Sequence, residues 1–167
     1  MTVLLEAVDG RLTPPLAADA HPVRRILVAF DGSPGAWAAL ERAIEIAVAQ
    51  SALLTIAAVV PEPHIYAGFG PLALPYSPDA LRRDAEREML RLLAAARDEV
   101  PANVSLTTQL LVGRPAKVLA ELAASGDYDL VVTGPRPSGR LRRLLGIGVT
   151  HSLLDRTRAS VLAIRPS

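Results

Sequence analysis

The chain has 167 residues, half of them apolar and 4% aromatic, with a formal net charge of +1. That length suits one domain with a full core, built here from Ala, Leu, Val and Ile. The near-neutral balance excludes global steering toward nucleic acid or a membrane surface, and no apolar run reaches the roughly 20 residues that span a bilayer.

There is no cysteine, so the redox compartment cannot be read. The opening residues MTVLLEAVDG carry Glu6 and Asp9 without a basic start, which makes a poor secretory signal and gives a cytoplasmic location by default. Residues 1–23 show no clear period and hold Pro14, Pro15 and Pro22. They are expected to form a tail or arm, with Thr2 to Val8 as an extra edge strand or dimer-swapped arm in the alternative.

Residues 24–167 are expected to form the domain proper. Arg24 to Phe30 is a short buried strand that stops at Asp31-Gly32-Ser33-Pro34. Ser33 suits an N-cap and Pro34 the first helical position. Trp37, Leu40, Ile44, Ala47 and Val48 then recur at helical spacing. Leu53 to Val60 is the second strand, so the chain opens β-α-β with a right-handed crossover. Pro61 to Ser77 holds four prolines, two glycines and the aromatics Tyr66, Phe69 and Tyr76. So long a loop reads as a lid over a pocket or as cover for apolar helix surface.

Ser77-Pro78-Asp79 starts the next helix. Its predicted buried stripe is Leu81, Ala85, Met89, Leu92, Leu93 and Ala96, and its other face alternates charge and is solvated. Val104 to Val112 reads as the third strand. Gly113-Arg114-Pro115 turns into a short helix with Val118, Leu119, Leu122 and Ala123 inward and Gly126 as its stop. Asp129 to Thr133 is the fourth strand. A glycine-broken basic loop follows, and a helix runs from about Val149 to Arg156. Ser160 to Ile164 is the fifth strand. Alternating strands and helices imply a single doubly wound α/β domain, a parallel sheet covered on both faces.

No catalytic or metal constellation assembles. The three histidines, His21, His64 and His151, are far apart in sequence, and neither HExxH nor CxxC occurs. Asp31-Gly32-Ser33 is not a GxSxG elbow, and the phosphate-binding GxxxxGK[ST] and GxGxxG patterns are missing. What remains is a binding site made by strand ends. With the first strand central, the first and fourth strands flank the topological switch point, where ligands sit. Asp31 and Val59 would hold an adenosine-like group there, the one by accepting a hydrogen bond and the other by apolar contact. Asp31 also reads as a turn residue bonding its own backbone.

ILVAFDGS after the first strand, the Gly113 to Ala116 turn, DLVVTG, RLRRLLG, VTHSLL and SVLAIRP occur in one order over residues 24 to 166. In these motifs the chain resembles the universal stress protein family. The resemblance implies a five-stranded parallel sheet of order 3-2-1-4-5 and a homodimer paired through the last strand, Ser160-Ile164. It also implies, for one branch, ATP or another adenine nucleotide bound through G-x2-G-x9-G-[ST]. Gly134 matches the first glycine. Pro137, Ile147 and Gly148 stand at the other three positions. Proline offers no N–H to a phosphate, and Gly148 removes a hydroxyl. Gly139, Gly146 and Gly148 keep the loop permissive, and Arg136, Arg140, Arg142 and Arg143 carry charge for a phosphate or form a solvated basic surface. The residues assigned to the nucleotide are therefore Ala29, Asp31, Val59, Gly134, Arg136, Gly139, Gly148, Val149 and Thr150. The function expected is a stress-response protein that acts by binding. A dimeric interaction or adaptor module without nucleotide and a weak ATP hydrolase are the alternatives.

Overall fold

The computed structural model describes residues 7–8, 11–12, 22–61, 78–134 and 157–165. In chain order the elements are β1 (Ala7–Val8), β2 (Arg11–Leu12), β3 (Arg25–Phe30), α1 (Pro34–Gln50), β4 (Leu53–Val60), α2 (Pro78–Asp98), β5 (Leu106–Val112), α3 (Pro115–Ser125), β6 (Leu130–Thr133) and β7 (Ser160–Ala163). β3 to β7 form one parallel sheet in the order β5-β4-β3-β6-β7. This is the expected order 3-2-1-4-5, with the first long strand central.

The strands are continuous apolar runs because both faces of the sheet are covered. Ile26, Val28 and Phe30 of β3 point to one face, with Leu54, Ile56 and Ala58 of β4 and Leu130 and Val132 of β6. The small residues Ala36, Ala39, Ala43 and Ala47 let α1 lie close on that face, where Leu93 and Ala96 of α2 join it. Leu27, Ala57, Val59 and Val131 point to the other face, under Leu119, Ala120 and Ala123 of α3. The helix expected between residues 149 and 156 lies outside the described residues.

Several expectations are corrected. The third strand begins at Leu106. Val104 is buried but belongs to a turn, its N–H donating to the Pro101 carbonyl. The last strand ends at Ala163. Ala85 is exposed on α2 and Val48 is 46% exposed on α1, so both fall outside the stripes assigned to them. In the N-terminal segment, Ala7–Val8 pairs antiparallel with Arg11–Leu12 and not with the main sheet. Val8 is opposite Arg11, two residues apart across Asp9-Gly10 in the sequence. Asp-Gly at that spacing is a hairpin signal, and the lack of periodicity hid it.

The amino end of the sheet is tied by one carboxylate. Asp129 Oδ2 accepts from the backbone N–H groups of Arg24 at 2.7 Å and Arg25 at 2.9 Å. Gln50 Oε1 accepts from the Val23 N–H at 2.7 Å. These bonds fix where β3 starts, and so the level at which its six residues end at the opposite rim.

Candidate functional site at the carboxyl ends of the central strands

β3 has β4 on one side and β6 on the other, so the chain leaves it in opposite directions. The crevice at such a reversal is where open α/β sheets bind ligands. Three strand ends meet there. Ala29 is in register with Ala57 of β4 and Thr133 of β6. Ala29 and Val59 pack on the α3 side, and alternation along β6 puts Thr133 on that side too. Small side chains therefore floor the carboxyl rim on this face.

Asp31 follows β3 directly. Its Oδ1 accepts from the Ser33 N–H at 3.1 Å, as expected of a turn residue. Gly32 has φ +74°, and a Cβ there would stand 2.7 Å from Leu92 Cδ1. A glycine is thus favoured by the left-handed backbone, and Leu92 of α2 packs close over it. Ser33 is the N-cap as expected: its Oγ accepts from the Ala36 N–H at 3.2 Å, and Pro34 follows it.

These bonds decide what the first helix end can offer. The Ser33 N–H is taken by Asp31, Pro34 has no N–H, the Ala36 N–H is taken by Ser33 Oγ, and the Trp37 N–H donates to the Ser33 carbonyl at 3.0 Å. Of the donors that elsewhere cradle phosphate at helix N-termini, those of Ser33, Ala36 and Trp37 are here committed to the turn.

Gly134 ends β6 against α1. A Cβ on it would lie 2.0 Å from the backbone C and O of Gly35 and 2.6 Å from the Ala36 N. Two main chains touch here, Gly134 over Gly35. Gly35 was not among the expected site residues. Its signal was a glycine just inside a helix start, after Pro34, where a helix former would be more stable.

The structure thus brings Ala29, Asp31 and Gly134 to adjacent strand ends, with Val59 one strand away. Val59 is only 7% exposed, so it supplies wall more than contact surface. Arg136, Gly139, Gly148, Val149 and Thr150 lie outside the described residues, as do Tyr66, Phe69 and Tyr76. Among the described residues there is no cluster of His, Cys, Asp or Glu that would hold a metal ion. No described helix is long and apolar enough to cross a membrane. Chemically, the rim offers a carboxylate with several acceptor sites beside small apolar side chains. That set fits a flat group carrying hydroxyls or an amine, such as a nucleoside.

The model of the universal stress protein family matches residues 22–165. The chain belongs to the universal stress protein family. Membership places its role in the stress response. Stress response protein NhaX of Bacillus subtilis (strain 168) is 29% identical over 161 residues, covering 84% of this chain and 97% of that protein. A universal stress protein solved in complex with cAMP superposes with a TM-score of 0.64 at 27% identity, over 88% of this chain and 100% of the other. A family member from Burkholderia pseudomallei gives 0.64 at 26% identity, over 87% and 97% of the two chains. In this universal stress protein, then, the Asp31–Ser33 turn and the Gly134–Gly35 contact shape one end of the switch point.

Proposed function

We propose that this universal stress protein binds an adenine nucleotide at the carboxyl ends of β3, β4 and β6, and acts through that binding rather than through turnover. The observation that carries the reading is that Asp31 and Gly134 directly follow the neighbouring strands β3 and β6 at the switch point, over a floor that includes Ala29. The 27% identical relative solved with cAMP supports an adenine nucleotide as the ligand. Asp31 accepts from a ribose hydroxyl or the adenine amine, a carboxylate having several acceptor sites. Ala29 gives apolar contact and Val59 walls the site. Gly134 and the residues after it, with Arg136, Gly139, Gly148, Val149 and Thr150, hold the phosphate. The departures at Pro137, Ile147 and Gly148 favour a ligand with few phosphates over a triphosphate. The working unit is a homodimer paired through β7, which has a sheet neighbour on one side, β6.

The test is Asp31→Asn. Asparagine keeps a side-chain oxygen for the Ser33 N–H and removes the carboxylate charge. Calorimetric titration with cAMP and AMP is expected to show affinity falling at least about tenfold, or about 1.4 kcal/mol. Folding stability is expected to stay within about 1 kcal/mol of wild type. Unchanged affinity in Asp31→Asn would remove Asp31 from the site and leave the turn as its role.

A further inference from the structure

We propose that the β5 edge of the sheet is a self-pairing surface, on which a second copy of this chain adds its own β5 antiparallel about a two-fold axis at Gln109. This does not depend on the nucleotide reading or on pairing through β7, which lies at the opposite edge.

The backbone bonds show which groups face outward. The Leu54 N–H donates to the Ser105 carbonyl at 2.9 Å, and the Gly113 N–H donates to the Val60 carbonyl at 3.0 Å. Polar groups alternate sides along a strand. Ser105, Thr107, Gln109, Leu111 and Gly113 therefore bond to β4, and Leu106, Thr108, Leu110 and Val112 turn their N–H and C=O away from the sheet. Among the described residues no strand pairs with that outer side.

Edges that stay single are blunted by charge, proline, bulges or short length, or are covered by a helix or loop. β5 has none of the first four, and no described strand covers it. Its register with β4 runs unbroken from Leu106 to Val112, and LTTQLLV contains no charge and no proline. Thr107 and Thr108 are exposed, and Val112 is 45% exposed.

The sequence fits a copy of itself. Centred on Gln109, antiparallel pairing sets Leu106 opposite Val112 and Thr108 opposite Leu110 of the second copy. Both are pairs of outward-facing residues, which exchange hydrogen bonds in such a ladder. Thr107 then meets Leu111, and Gln109 meets Gln109. No like charges oppose each other. The ends are complementary too. Exposed Arg114 follows β5, while exposed Asp98 and Glu99 precede it, and the two-fold brings each end beside the other. Such an interface is isologous.

The chain has no cysteine, so one introduced thiol reports this contact cleanly. At the axis the facing Cα atoms would stand about 4.5 Å apart, as in a non-hydrogen-bonded antiparallel pair, within reach of a disulfide. Full-length Gln109→Cys under mild oxidation is expected to give at least about ten times more covalent dimer on a non-reducing gel than Thr107→Cys. Thr107 would be several residues from its own copy across the axis. Adding Thr108→Pro removes an outward N–H while sparing the bonds to β4, and is expected to abolish the cross-link. Thr108→Lys, tested by sedimentation without any cysteine, is expected to reduce the mass of the assembly by half or more relative to wild type. Equal cross-linking of Gln109→Cys and Thr107→Cys, or an unchanged mass in Thr108→Lys, would overturn the proposal. An extended segment of some other protein on this edge would also leave Gln109→Cys unlinked, and counts against it.

Discussion

Gly134→Ala is expected to cost about 3 kcal/mol or more in folding free energy, seen as a lower urea midpoint with little change in slope. The added methyl would sit 2.0 Å from two backbone atoms of Gly35 and 2.6 Å from the Ala36 nitrogen. Neither neighbour can rotate away. Both belong to the first turn of α1, which is pinned by the Ser33 cap and by Pro34. Relief requires β6 or α1 to move, and β6 is hydrogen-bonded on both sides, to β3 and β7. Gly126→Ala is the instructive contrast. Its Cβ would meet the Tyr128 ring at 2.1 Å, but a half-buried ring at the surface can turn aside, so the expected loss is smaller. If Gly134→Ala were no worse than Gly126→Ala, the tight main-chain crossing at the rim would not exist in solution.

Phe30→Ala is expected to cost about 3–5 kcal/mol, the range for truncating a buried aromatic residue. That is a large share of the roughly 5–15 kcal/mol that holds a domain together. Phe30 is 2% exposed, and its ring meets Trp37 edge-on, with centroids 5.0 Å apart and planes at 89°. The contact locks the first turns of α1 onto the end of β3, immediately before Asp31. Trp37 is the sole tryptophan, so its fluorescence reads this contact directly. Phe30→Ala is expected to shift the emission to longer wavelength even where the chain remains folded, and Phe30→Leu to recover more than half of the lost stability. An emission spectrum identical to wild type in Phe30→Ala would show that the ring pair does not hold the turn.

Much of the architecture was legible because its causes are local. ILVAF and LLTIAAVV are too apolar for a half-exposed sheet, so they read as parallel strands buried on both faces. Ser33-Pro34 announced the helix start, and the cap is in place. Misreadings came where burial and periodicity part company. Val104 is apolar and buried, yet it closes a turn, so hydrophobicity alone started β5 two residues early. Ala85 and Val48 fit the helical spacing, but each lies on a flank that the sheet does not reach.

The candidate site was legible in a different degree. Asp31 stood out because a strand end carries a carboxylate before a glycine. Its bond to Ser33 was foreseeable from the Asp-x-Ser spacing. Gly134 was read as a ligand-facing glycine, and its packing role on Gly35 was not legible. That contact joins residues about 100 positions apart in sequence, and it exists only once β6 lies beside β3 under α1. Nor did the sequence pattern show that the Ser33, Ala36 and Trp37 N–H groups at the first helix end are used by its own turn.

The most direct test of the account is a calorimetric titration of the wild-type protein with cAMP, with Trp37 emission followed in parallel. Nucleotide binding at the switch point predicts a saturable isotherm with a Kd tighter than about 1 mM and competition by AMP. Flat titrations with cAMP, AMP and ATP up to millimolar concentration would contradict it.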